Sequence, residues 1–122
     1  MSLGVVVVAH VPEMATGFAK LLQNVAPTVA ITAAGGNSVG SVGTSMDQIE
    51  RAFKENQATE LLVFYDFGSA RRNIELAAAF GDKNIYIYDA AFTEGAYTAA
   101  TLLQAGQDRA AINADIQRLI IK

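Results

Sequence analysis

The stretch VVVVAHVPEM (residues 5–14) places four consecutive valines and an alanine ahead of His10, the single histidine of the chain. With Leu3 and Gly4 the run LGVVVVA is continuously apolar and rich in β-branched residues. It predicts a strand buried on both faces, as in a parallel sheet covered by helices. Pro12 and Glu13 suit a first helical turn, because proline lacks no needed donor there and an acid meets the positive end of the helix. His10 thus stands where a buried strand ends and a helix begins. Two readings of it follow. In one it caps a helix or fills a corner of the core. In the other it is an imidazole with a free lone pair, placed where backbone N–H groups favour an anion such as a phosphoryl group.

Working outward, Phe18, Leu21, Leu22 and Val25 recur at helical spacing, and Pro27 ends the helix. TVAITA (28–33) predicts a second strand, and GGNSVGSVG (35–43) a glycine- and serine-rich loop. Thr44, Ser45, Met46 and Asp47 form a helix start with a capping hydroxyl and an acid in the first turn. ELLVFYDF (60–67) predicts a third strand, broken by Gly68 and Ser69 before a helix through SARRNIELAAAF. NIYIYDA (84–90) predicts a fourth strand, followed by helices near 94–105 and 108–121, the second carrying Ile112, Ile116, Leu119 and Ile120 on one face. Strands alternating with helices predict an α/β three-layer sandwich. Its central sheet is mainly parallel and four-stranded, with helices on both faces, in a single domain over residues 1–122.

Composition narrows the chemistry. The chain has no cysteine and one histidine, which removes disulfides, thiolate nucleophiles and cysteine-ligated metals and leaves no basis for a typical zinc site. A net charge of −3 and a single adjacent basic pair, Arg71-Arg72, argue against a nucleic-acid binder. No apolar run is long enough to span a bilayer and no signal peptide is evident, so no membrane association is expected, and the cytoplasm is the expected compartment.

In open parallel sheets, ligands bind beyond the carboxyl ends of the strands. That rim would gather His10, the 35–45 loop, Asp66 with the Gly68-Ser69 turn, and Asp89. A carboxylate from Asp66 beside His10 would accept one ring N–H and leave the other nitrogen to attack; alone, Asp66 is equally a turn residue or helix cap. Thr44 and Ser69 either cap helices or donate hydroxyls to a phosphoryl group. Gly35, Gly36, Gly40 and Gly43 permit close backbone approach. However, G-x-x-x-x-G-K-[ST] is absent and G-x-G-x-x-G does not follow the first strand, so a nucleotide site is poorly supported. F-G-S-A-R likewise lacks the second glycine of G-x-S-x-G.

With VVVVAHVPEMATGFAKLL, GSVGTSMDQIERAF and LLVFYDFGSARRNIELA on the page, the sequence resembles the phosphotransferase subunit of phosphoenolpyruvate-dependent dihydroxyacetone kinase, which has the fold of mannose-family enzyme IIA. The resemblance implies that His10 is phosphorylated by the phosphocarrier protein of the phosphotransferase system. The phosphoryl group then passes to ADP, held with magnesium on a separate kinase subunit, so no cofactor or metal is expected on this chain. It implies that Asp66 orients His10 and that Gly43, Thr44, Ser45, Gly68 and Ser69 line the phosphoryl site. It also implies a homodimer, for which the alanine-rich, nearly uncharged helix at 94–105 is the expected interface. The alternative is the IIA domain of a mannose-family sugar transporter. F-G-S-A with Arg71, Arg72 and Glu75 resembles the kinase subunit more closely.

Overall fold

The computed structural model describes residues 2–122. Strand β1 (Leu3–Ala9) leads into helix α1 (Pro12–Val25), then β2 (Ile31–Gly35), α2 (Met46–Glu55) and β3 (Glu60–Tyr65). A short 3-10 turn (Gly68–Ala70) precedes α3 (Arg71–Phe80), followed by β4 (Asn84–Tyr88), α4 (Phe92–Gln104) and α5 (Arg109–Ile116), which runs into a second 3-10 turn (Gln117–Leu119). The strands lie in the order β2-β1-β3-β4, and every pairing is parallel.

The valine run is divided by strand geometry. Successive side chains of a strand point to opposite faces. Val5 and Val7 therefore join Leu62, Phe64 and the buried residues of α1, α4 and α5 in one core. Val6 and Val8 join Leu61, Val63, Tyr65 and the buried residues of α2 and α3 in the other. The same apolar run thus anchors both outer layers, as a strand covered on both faces must.

This strand order fixes where a site can form. The chain moves from β1 to β2 on one side, then crosses to β3 on the other side of β1. The carboxyl ends of β1 and β3 therefore flank the switch point, where loops diverge and leave a crevice. Residues His10 and Asp66 follow directly on those two ends. Gly35, at the end of β2, brings α1 close. A Cβ there would stand 2.9 Å from Pro12 Cα, 2.9 Å from the Val11 carbonyl oxygen and 2.8 Å from Ala15 Cβ.

The structure moves several boundaries expected from sequence. The second strand starts at Ile31, because Thr28 and Val29 are taken up by a turn. Thr28 donates from its N–H (3.0 Å) and its hydroxyl (2.8 Å) to the side chain of Gln104, and the Val29 N–H donates to the Ala26 carbonyl. The last helix stops at Ile116, and Ile120 instead bridges antiparallel to Ala90. Ile112 and Ile116 are buried as expected, whereas Ile120 is largely exposed. The alanines of α4 also require a correction. Ala96, Ala99 and Ala100 are fully buried against the sheet of their own chain, so they offer no interface face; Thr93, Glu94 and Tyr97 are what the helix exposes.

Replacing Gly35 by alanine forces Cβ against backbone atoms of the α1 entry. The expected cost is about 1–3 kcal/mol of stability. It would be read from the urea midpoint at unchanged slope, and an unaltered midpoint would show that the close approach is not a constraint.

Candidate phosphoryl-transfer site

Asp66 binds His10 with both carboxylate oxygens. The backbone N–H of His10 donates to Oδ2 at 2.8 Å, and ring Nδ1 lies 2.8 Å from Oδ1. The Phe67 N–H also donates to Oδ1, at 2.8 Å. The carboxylate is nearly closed off, its side chain 4% exposed against 18% for His10. A buried carboxylate needs such donors to offset its lost hydration, and here three N–H groups supply them. Asp66 remains tied to the sheet through its own N–H, which donates to the Val8 carbonyl at 3.1 Å.

This arrangement decides the roles of the ring nitrogens. An ionised carboxylate accepts only, so in the neutral ring Nδ1 carries the hydrogen and Nε2 carries the lone pair. Nε2 stands 2.7 Å from Ser69 Oγ, whose hydroxyl therefore donates to it. Of the two roles open to Ser69, capping is not the one it takes: neither the 3-10 turn nor α3 has a side-chain cap, and the hydroxyl is directed at the imidazole. Phe67, 63% exposed, meets the ring edge-on with centroids 5.6 Å apart.

The loop after β2 reaches His10 through its backbone. Gly43 donates its N–H to the His10 carbonyl at 2.8 Å, and its φ of +139° is a conformation open to glycine and rarely to other residues. The loop is organised around Asn37, whose side-chain oxygen accepts from the N–H groups of Val39 (3.1 Å) and Ser41 (2.9 Å). Ser45 caps α2, its hydroxyl oxygen accepting from the Gln48 N–H at 3.1 Å. Thr44, next to it, is not the cap; its hydroxyl accepts from the side-chain amide of Asn73 at 2.8 Å. Gly68 lies in the exposed turn beside Ser69, with open space where a Cβ would be.

Arg71 and Asp89 do not enter this cluster directly. Arg71 pairs with Glu75 at 3.1 Å and with Asp89, while Arg72 is exposed. Asp89 also accepts from the Tyr65 hydroxyl at 2.5 Å. Lys122 sits 4.0 Å over the Tyr65 ring and donates to the Tyr65 carbonyl. Burial lowers the Lys122 ammonium from its ordinary range, and the charges of Asp66 and Asp89 oppose that shift. Burial, reinforced by Asp89, raises the Tyr65 phenol, with Arg71 acting in the opposite direction. Three features of this end of the sheet were not anticipated from sequence: the Tyr65–Asp89–Arg71 network, the Asn73–Thr44 contact and the Lys122 anchor.

A parallel four-stranded sheet thus carries His10 and Asp66 together at its switch point, the arrangement that the resemblance to IIA-type phosphotransferase components implies. The family model of the PTS system fructose IIA component matches residues 4–113, and the chain belongs to that family. The sequence identity is 43% over 122 residues to the phosphotransferase subunit DhaM of the PTS-dependent dihydroxyacetone kinase of Lactococcus lactis, covering 100% of this chain and 99% of the relative. It is 37% over 119 residues to the phosphoryl donor subunit DhaM of PEP-dependent dihydroxyacetone kinase 1 of Listeria innocua, covering 98% and 96%. The resemblance expected from sequence is thereby borne out, as is the fold. Among solved structures, a protein of unknown function superposes with a TM-score of 0.84 at 27% identity over 100% of this chain and 98% of the other. A sigma-54 interaction domain protein from Enterococcus faecalis shares the fold, with a TM-score of 0.69 at 18% identity over 96% and 89% of the two chains.

Two measurements check this geometry. At a pH where the ring is neutral, ¹⁵N NMR of His10 is expected to show the Nδ1–H tautomer, and Asp66→Asn to shift it towards a mixture. An Nε2–H ring in the unaltered protein would contradict the assigned roles. Because the Tyr65 phenol is raised on folding, its contribution to stability is complete below the unfolded value of about 10 and lost as pH climbs through the folded one. Tyr65→Phe should therefore flatten the alkaline loss of stability, measured by denaturant titration across that range.

Proposed function

We propose that this chain is the phosphoryl donor subunit of a phosphoenolpyruvate-dependent dihydroxyacetone kinase, working through a phosphohistidine at His10. The observation that carries the reading is the occupied Nδ1. With Asp66 on that nitrogen, Nε2 holds the lone pair and, among the described residues, has the Ser69 hydroxyl as its one hydrogen-bond partner. The names of both curated relatives support the kinase system over the alternative of a sugar-transporter IIA domain.

In the proposed reaction the Nε2 lone pair attacks phosphorus on the loaded phosphocarrier protein. A P–N bond to His10 forms, the bond from phosphorus to its donor atom breaks, and that electron pair leaves with the donor. Nδ1–H stays on the ring, and the Asp66 carboxylate stabilises the positive charge that develops there. The incoming group displaces the Ser69 hydroxyl from Nε2, leaving it to donate to a phosphoryl oxygen. Thr44 and the backbone at Ser45 and Gly68 complete the proposed phosphoryl pocket, while the Gly43 N–H, held by the His10 carbonyl, fixes the loop that carries Thr44 and Ser45. Such preorganised donors stabilise the charge spread over the oxygens of a transferring phosphoryl group. In the second transfer a terminal phosphate oxygen of ADP attacks phosphorus. The P–N bond breaks, and its electron pair returns to Nε2. ADP and magnesium belong to the kinase subunit in this scheme. Among the described residues no cluster of three or more histidine, cysteine or carboxylate side chains is arranged to hold a metal ion. The exposed rim, with Phe67 beside the ring, suits a group that must meet two different proteins in turn. The homodimer implied by the resemblance belongs to the same proposal, and sedimentation would test it.

Incubation with phosphoenolpyruvate, enzyme I and the phosphocarrier protein is expected to load one acid-labile phosphate, located at Nε2 by NMR. His10→Ala should take up none while keeping its circular dichroism. The loaded protein should discharge to the ADP-bearing kinase subunit and not to a transporter IIB domain; discharge to the transporter domain alone would overturn the kinase assignment.

A further inference from the structure

Asn73 lies in the first turn of α3, one helical turn beyond Ser69, whose hydroxyl meets His10 Nε2. Ser69 itself belongs to the 3-10 turn (Gly68–Ala70) that leads into α3. The Asn73 amide does not reach the imidazole; it crosses to the loop after β2 and donates to Thr44 Oγ1 at 2.8 Å. Thr44 in turn follows Gly43, whose N–H is bonded to the His10 carbonyl. The Thr44 hydroxyl is thus held from α3, on a loop whose preceding residue is tied to the His10 backbone.

A hydroxyl has one hydrogen to give and two lone pairs that accept. Once the amide N–H of Asn73 occupies a lone pair, the O–H cannot point along that direction and must donate elsewhere. Among the described residues no protein group receives it. Ser45, the neighbouring hydroxyl, already serves as the cap of α2, so Thr44 is not needed there.

We infer that Asn73 is a positioning residue for phosphoryl transfer. By occupying the acceptor side of the Thr44 hydroxyl, it turns the O–H towards the phosphoryl group carried on His10. Thr44 then complements Ser69 from the opposite loop, so that donors from the ends of β2 and β3 close on the group from two sides. This role rests on the relay reading of His10 and deepens it: Asn73 never touches the phosphoryl group, and acts only through Thr44.

That dependence gives the test. Rates of loading from the phosphocarrier protein would be measured for the wild type, Thr44→Val, Thr44→Ser, Asn73→Ala and the double variant Thr44→Val/Asn73→Ala, with thermal unfolding of each. Loss of one phosphoryl donor should make Thr44→Val slower by about 100-fold. Freeing a rotor with three staggered wells should make Asn73→Ala slower by roughly three- to tenfold. The double variant should be no slower than Thr44→Val alone, and Thr44→Ser, which keeps the hydroxyl, should load almost as the wild type does. A residue that only ties α3 to the loop would lower the unfolding temperature and slow both backgrounds by the same factor. Multiplying effects, or Asn73→Ala loading at the wild-type rate, would overturn the inference while leaving the relay intact. If the wild type itself takes no phosphate on His10, the relay falls and the role of Asn73 falls with it.

Discussion

The site depends on one carboxylate that grips one residue twice. Asp66 holds the backbone N–H of His10 with one oxygen and its ring Nδ1 with the other. A ring bond alone would leave the chain beneath it free to shift; a backbone bond alone would leave the ring free to turn about its side-chain torsions. Together they fix both the platform and the orientation of the imidazole. The two residues extend neighbouring strands of one ladder, whose last pair, Val8 with Tyr65, stands two residues before His10 and one before Asp66. The sheet register thus sets their separation before any side chain is considered.

Other groups at the rim divide the remaining work. Ser69 and Thr44 are polar groups at the ends of β3 and β2, brought to the rim by the elements that follow those strands. Asp89, although at the same rim, is occupied by Tyr65 and Arg71 and so serves to hold β3, β4 and α3 together. Two aspartates at equivalent strand ends therefore have different tasks. The difference lies in what each neighbouring strand end offers: an imidazole beside Asp66, a phenol and a guanidinium beside Asp89.

Much of this was legible in the sequence because the signals were local and strong. The valine run, LLVFY and the intervening helical periodicities specify a parallel sheet, and that topology alone brings His10 and Asp66 to one rim. What stayed hidden was settled by contacts between distant segments. Thr28 and Val29 read as strand from their branching, yet Gln104 holds Thr28 in a turn. Ile120 continues a helical stripe in sequence, yet its pairing with Ala90 turns it into extended chain. The alanines of α4 read as an uncharged surface, but small side chains are also what lets a helix lie close to a sheet, and there they are buried. Asn73 lies in a stretch that carries the resemblance, D-F-G-S-A-x-x-N-x-E, but its contact with Thr44 stayed hidden, since a polar residue early in a helix is ordinary and its partner lies 29 positions away.

The alternation along β1 has one more consequence. Val6 and Val8 face the α2 and α3 layer, and the His10 ring, two residues further on, meets Asp66 and Ser69 at the entry to that same layer. The core and the imidazole are in phase along a single strand. Substitutions among the valines that keep apolar character perturb packing while leaving that phase intact. Loss or gain of one residue between Gly4 and His10 is different in kind. It would exchange the two valine sets between layers and carry the imidazole away from its carboxylate at the same time. In this strand a change of length therefore costs both the core and the His10–Asp66 pair at once, whereas an apolar change of residue type costs packing alone.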